Sequence, residues 1–179
     1  VNGIKPDFLC IIETYNSSKQ IEGLDLSDAD FSYVNIEGAN LEGTNAKINP
    51  QTVWAKDLYH TVLNGVTITG PFDDVDVRGV DFTGATSIYY GWIKINPQTI
   101  KGKSVAYTKL SGVEFIGNFD GVYIRGADFT GSKGAIIKPT KLRNKNLAGT
   151  KLADTIIDGS FRNVLLEETD FTGAKSKYG

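Results

Sequence analysis

The sequence is short of residues that carry chemistry. It has one cysteine, Cys10, one histidine, His60, and no methionine. A single cysteine excludes an internal disulfide framework and any cysteine-based metal cluster. Its neighbours Phe8, Leu9, Ile11 and Ile12 mark it as a small buried hydrophobe rather than a nucleophile. His60 has no second histidine or cysteine with which to share a zinc ion, and no Ser-His-Asp arrangement can be read around it, so corner or surface packing is expected. No apolar run is long enough to span a bilayer. The apolar stretch 8–12 is too short for the core of a secretory signal. Neither sign of charge dominates, with 19 basic and 21 acidic residues and a net charge of −2. A generic nucleic-acid or anionic-membrane surface is therefore not indicated. Phosphate loops, dinucleotide fingerprints and nucleophile elbows are missing. No catalytic, cofactor-binding or metal-binding residue is assigned, and no cofactor is expected. The chain begins at Val1, so a segment of a longer protein stays among the readings.

What the sequence does contain is repetition. Four of its five prolines fall in one phrase: Ile4-Lys5-Pro6, Ile48-Asn49-Pro50, Ile95-Asn96-Pro97 and Ile137-Lys138-Pro139. After each of the last three, at a constant distance, comes Asp-Phe-Thr-Gly at Phe82, Phe129 or Phe171. Long units therefore begin near residues 4, 48, 95 and 137. Inside them runs a shorter beat of five: Ile48, Val53, Leu58, Leu63, Ile68, then a step of four to Phe72, then Val77 and Phe82. The next unit gives Ile95, Ile100, Val105, Leu110, Phe115, Phe119, Ile124 and Phe129. The last gives Ile137, Leu142, Leu147, Leu152, Ile157, Phe161, Leu166 and Phe171. The first unit joins at Ile21, Leu26, Phe31, Ile36 and Leu41.

A five-residue beat fits neither regular element. On an α-helix the positions would spiral around the axis and form no face. On a flat strand an odd step alternates faces. A backbone that turns a corner every five residues buries them all: each five makes one side of a square, four sides make a coil, and eight centres make two coils. Four units then imply about eight coils, stacked at roughly 4.8 Å into a rod of about 40 Å.

The chain resembles the pentapeptide-repeat family, whose pattern is a small residue, then Asp or Asn, then Leu or Phe, then two more. Ala29-Asp30-Phe31, Ala39-Asn40-Leu41, Ala127-Asp128-Phe129 and Thr169-Asp170-Phe171 carry the resemblance, which covers about residues 21–174. It implies an all-β fold, a right-handed quadrilateral β-helix, with residues 1–20 as an amino-terminal cap and 175–179 as a polar tail. In the cap, Asp7 heads either a short helix burying Phe8, Ile11, Ile12 and Tyr15 or a strand. Lys56, Lys103 and Lys145 depart from the pattern, standing two residues before a centre where the family prefers a small side chain. Distortion is expected there, with the lysines turned to solvent. The columns predicted from the beat are Leu63, Phe82, Leu110, Phe129, Leu152, Phe171 and, opposite, Val53, Phe72, Ile100, Phe119, Leu142, Phe161. Phenylalanines should face each other in every second coil. The exposed last coil is a candidate homodimer interface.

Functional candidates are few. Asp81, Asp128 and Asp170 recur just before a centre, but Val62, Lys109 and Lys151 share their line, so a mutually neutralising face is expected. Asp73, Asp74 and Asp76 lack the spacing of a calcium loop. The connection from Phe82 to Ile95 is longer than that from Phe129 to Ile137 and contains Tyr89, Tyr90 and Trp92. Extra residues in a repeat array emerge as loops, and exposed aromatics anchor interfaces. These three residues are the candidate partner-binding loop; the competing reading is that they cover a bulged corner. The leading functional expectation is a non-catalytic protein–protein interaction scaffold. One alternative, implied by the resemblance, is a DNA mimic that binds DNA gyrase, as some quinolone-resistance proteins of the family do. Another is a repeat segment that positions a further domain in a larger bacterial protein. The resemblance alone favours the cytoplasm.

Overall fold

A computed structural model describes residues 23–89 and 91–179. It is all-β: eight strands of two or three residues, short 3₁₀ turns and, among the described residues, no α-helix. None of its helical segments is long and apolar enough to cross a membrane. The expected cap at 1–20, with Asp7 and Cys10, lies outside the described residues, as does Tyr90.

The strands pair in parallel with segments further along the chain. Strands β1 (Lys47–Ile48), β2 (Thr67–Ile68) and β3 (Thr86–Ser87) form one sheet in which Ile48 is level with Ile68, and Ile68 with Ser87. Strand β4 (Ile93–Ile95) pairs with β5 (Val113–Phe115), and β6 (Ile136–Ile137), β7 (Ile156–Ile157) and β8 (Lys175–Ser176) form the third sheet. A further line is built from single bridges: Asn40, Val62, Asp81, Lys109, Asp128, Lys151 and Asp170, each parallel to the next. The residues that follow them are Leu41, Leu63, Phe82, Leu110, Phe129, Leu152 and Phe171, so the first predicted column is the observed one. Parallel pairing after each return of the chain is what a corner at every fifth residue produces, because every side must stack on its own equivalent. Lys175 and Ser176, placed by the sequence in the polar tail, extend the third sheet instead. Backbone pairing needs no apolar side chain, and Lys177 and Tyr178 both bond Asp158 at 2.9 and 3.1 Å.

The core is the set of five-step centres. From Ile48 to Ile157 every one is buried, as are Leu26, Phe31, Ile36 and Leu41. Only the last three, Phe161, Leu166 and Phe171, are not fully covered, because no described segment stacks beyond them. Phe72 meets Phe82, Phe119 meets Phe129 and Phe161 meets Phe171 edge to face, with ring centroids 5.6, 5.6 and 5.3 Å apart. The expected facing of phenylalanines is observed, in the geometry their quadrupoles favour.

A second inward line lies two residues before the centres and is filled by small or β-branched side chains such as Ala39, Val66, Val80 and Ala127. Buried threonines there satisfy their hydroxyls by reaching back along the chain. Thr61 donates to the Ile36 carbonyl at 2.9 Å, Thr108 to Val77 at 2.8 Å and Thr150 to Ile124 at 3.1 Å. Each tie removes a desolvation penalty and joins neighbouring returns of the chain.

Where lysine occupies that small-residue position the backbone is distorted as expected. Trp54–Lys56, Lys101–Lys103 and Arg143–Lys145 are 3₁₀ turns. Two successive residues in each lie in the left-handed region: Ala55 and Lys56, Gly102 and Lys103, Asn144 and Lys145. A long charged side chain cannot enter the core, so the chain rotates it outward; Lys103 and Lys145 are exposed and Lys56 is half-buried.

Candidate functional site

The candidate loop lies where the chain passes from one sheet to another. Thr86 and Ser87 pair back onto Thr67 and Ile68, whereas Ile93 to Ile95 pair forward with Val113 to Phe115. Strands β3 and β4 do not pair with each other. The described residues between them, Ile88, Tyr89, Gly91 and Trp92, belong to neither ladder and are exposed. The Tyr89 backbone N–H is held by the Ser87 hydroxyl at 3.3 Å. Tyr89 is 64% exposed and Trp92 38% exposed, and Ile88 and Ile116 add apolar surface nearby. Trp92 is partly restrained by Lys133, whose Nζ lies 5.8 Å from its ring. Between loop and body is a cleft of about 260 Å³ whose walls include Ile68, Phe72, Tyr89, Trp92, Ile93 and Ile116. The structure thus brings Tyr89 and Trp92 to one cleft, Trp92 leaning on the body and Tyr89 standing out from it.

The recurring acids have a local task. In each, Oδ1 accepts the backbone N–H two residues on: Thr83 for Asp81, Thr130 for Asp128 and Thr172 for Asp170, at 3.0, 3.0 and 2.8 Å. Asp25, Asp30, Asn35, Asn40 and Asp57 do the same. An Asp or Asn before a centre therefore closes the corner that follows it. The second oxygens meet lysines, Asp81 with Lys109 at 2.6 Å and Asp128 with Lys151 at 3.0 Å. The neutralising face expected from the sequence is present as ion pairs.

Burial opposes ionisation of Asp81 and Asp128. Hydrogen bonds outweigh it, led by Lys109 at Asp81 and by Thr130 and Lys151 at Asp128, and hold both pKa values below the ordinary carboxylate value. A folded pKa below the unfolded one stabilises the fold above about pH 4, and that contribution is lost as the pH falls through the lower folded values. The urea midpoint should therefore fall between about pH 5 and about pH 2, and the Asp81→Asn, Asp128→Asn double variant should lose less of its midpoint over that range.

The acidic cluster does not converge. Asp76 is buried and turned to Arg78, whereas Asp74 is only 4.0 Å from Lys56. Among the described residues no three His, Cys, Asp or Glu side chains gather as a metal site requires. His60 is an exposed corner residue with φ 57°, its ring edge-on to Tyr59 at 4.1 Å.

The sequence reading missed a second cleft. It lies beside the 3₁₀ turn at Lys101–Lys103 and holds about 440 Å³. Tyr59, Arg78, Lys101, Tyr107, Tyr123 and Arg143 line it. These residues are scattered along the chain, and the only signal for them was their place on outward lines of the five-residue beat.

No curated protein matches the chain. A family model described as pentapeptide repeats (8 copies) matches residues 21–45. Together with the five-step core and the Asp or Asn corner at successive centres, this match shows the chain's resemblance to the pentapeptide-repeat family.

Proposed function

We propose that the chain is a right-handed quadrilateral β-helix of about eight coils that serves as a non-catalytic interaction scaffold, with the loop around Tyr89 and Trp92 seizing a protein partner. The observation that carries this reading is the cleft of about 260 Å³ beneath an extruded aromatic loop on an otherwise periodic body. A spacer needs no such interruption, whereas an aromatic side chain beside an apolar cleft offers the anchor and pocket from which interface hot spots are made. The body supplies rigidity, since each segment is hydrogen-bonded along one return of the chain to the next. The partner is a protein that presents a small apolar side chain to the cleft. The Tyr89→Ala, Trp92→Ala double variant should fail to retain a partner that the native chain captures from cell extract, with an unchanged melting temperature. Equal capture by both proteins would sink the loop reading.

The gyrase-directed alternative calls for a continuous acidic stripe. Lysines at 109 and 151 interrupt the acid line with ion pairs, which weighs against it. On the scaffold reading, gyrase supercoiling is unaffected by micromolar protein, with or without a quinolone.

A further inference from the structure

The second cleft is a built site and shares no residue with the loop. Its cations are held in place. Arg78 donates from Nε to both oxygens of Asp76, at 2.9 and 3.1 Å, and the Asp76 side chain is only 4% exposed. The same guanidinium lies 5.1 Å from the Tyr59 ring. Arg143 donates from Nε to the Gly121 carbonyl at 3.2 Å and from Nη2 to the Gly102 carbonyl at 2.8 Å, crossing successive returns of the chain. Both guanidinium groups are therefore oriented before any ligand arrives, and each keeps N–H donors to spare out of its five. Lys101 is exposed and its ammonium forms no ion pair among the described residues.

Charge in the cleft is unbalanced. Its one lining carboxylate, Asp76, is committed to Arg78. A further acid that acts on Arg78, Asp57, is occupied closing the corner at the Tyr59 N–H, 2.8 Å away. Three cations thus share a cleft whose walls also include the rings of Tyr59, Tyr107 and Tyr123, beside Ser104 and Ala106. Tyr107 is fixed in its turn: it lies across Gly126, where an added Cβ would stand 2.4 Å from the ring. Guanidinium and ammonium groups suit the oxygens of a phosphate ester, and flat aromatic faces suit a planar heterocycle. A space of about 440 Å³ is within the range of small-molecule sites.

We propose that this cleft binds a nucleoside monophosphate, its phosphate between Arg78, Lys101 and Arg143 and its base against the tyrosine rings. Calorimetric titration with adenosine monophosphate at low salt tests it, with adenosine and inorganic phosphate titrated alongside. Saturable binding with Kd at or below about 1 mM is expected, at least about tenfold tighter than either fragment. Lys101→Glu, on an exposed turn, should weaken binding by about tenfold or more, and added salt should weaken it further. Arg143→Lys keeps the charge but loses the fork and should weaken binding similarly; melting curves of both variants exclude unfolding as the cause. No saturation up to about 10 mM would overturn the proposal. So would inorganic phosphate binding as tightly as the nucleotide, or Lys101→Glu binding as well as the native chain.

Discussion

Phe119→Ala should lower the stability of the fold by about 3–5 kcal/mol, read as a fall in the urea midpoint at unchanged slope. The side chain is 1% exposed and touches Phe115 and Phe129, with ring centroids at 4.9 and 5.6 Å. Removing it forfeits the transfer energy of a phenyl ring and leaves a hole lined by two other rings. Collapse is hindered because the surrounding backbone is hydrogen-bonded along the stack: the Gly121 N–H donates to the Lys141 carbonyl and the Arg143 N–H to Val122, at 2.8 and 3.0 Å. A control makes the prediction specific. Phe171→Ala removes the same side chain from another five-step centre, but Phe171 is 38% exposed at the last return of the chain. Its loss should cost less than about 2 kcal/mol. Equal losses at the two positions would mean that depth in the stack does not set the energy.

Gly134→Val should be nearly as damaging, at about 2–4 kcal/mol. Gly134 has φ 77°, and a Cβ added there would stand 2.6 Å from the Phe115 carbonyl oxygen. That neighbour is backbone and cannot rotate away. The Phe115 N–H is itself bonded to the Lys133 carbonyl at 2.8 Å, so relief would require breaking the ladder beside it. By contrast, Gly121 has φ 72° with nothing within 4 Å of an added Cβ. Gly121→Val should show only the left-handed backbone penalty, about 1–2 kcal/mol. Thermal melting of the two variants separates the steric term from the conformational one.

These contrasts show where sequence reasoning reaches and where it ends. The five-residue beat named the core from Ile48 to Ile157 correctly, because burial of one apolar side chain per side is the term that dominates such a fold. The outward rotation of Lys56, Lys103 and Lys145 was legible for the same reason: no packed interior accepts an unpaired ammonium. The alternation of acids and lysines on one line followed from counting, and the ion pairs at Asp81 and Asp128 lie where the count placed them. The corner-closing task of those acids was less visible, although the repeated Asp or Asn before each centre was its signal.

Other features depend on distances that no spacing encodes. Lys175 and Ser176 look like a tail, yet they pair, because a parallel ladder recruits backbone whatever side chains it carries. The cleft of Tyr59, Arg78, Lys101, Tyr107, Tyr123 and Arg143 unites residues from successive returns of the chain, and the bulged turn at Lys101 helps to open it. The sequence by itself determined the period, the core and the neutralised face, since these depend on which side chain stands at each fifth position. Tertiary structure alone decided that β3 and β4 join different sheets, that Tyr89 and Trp92 share a cleft, and that three cations converge, because each arises where one return of the chain is laid against another.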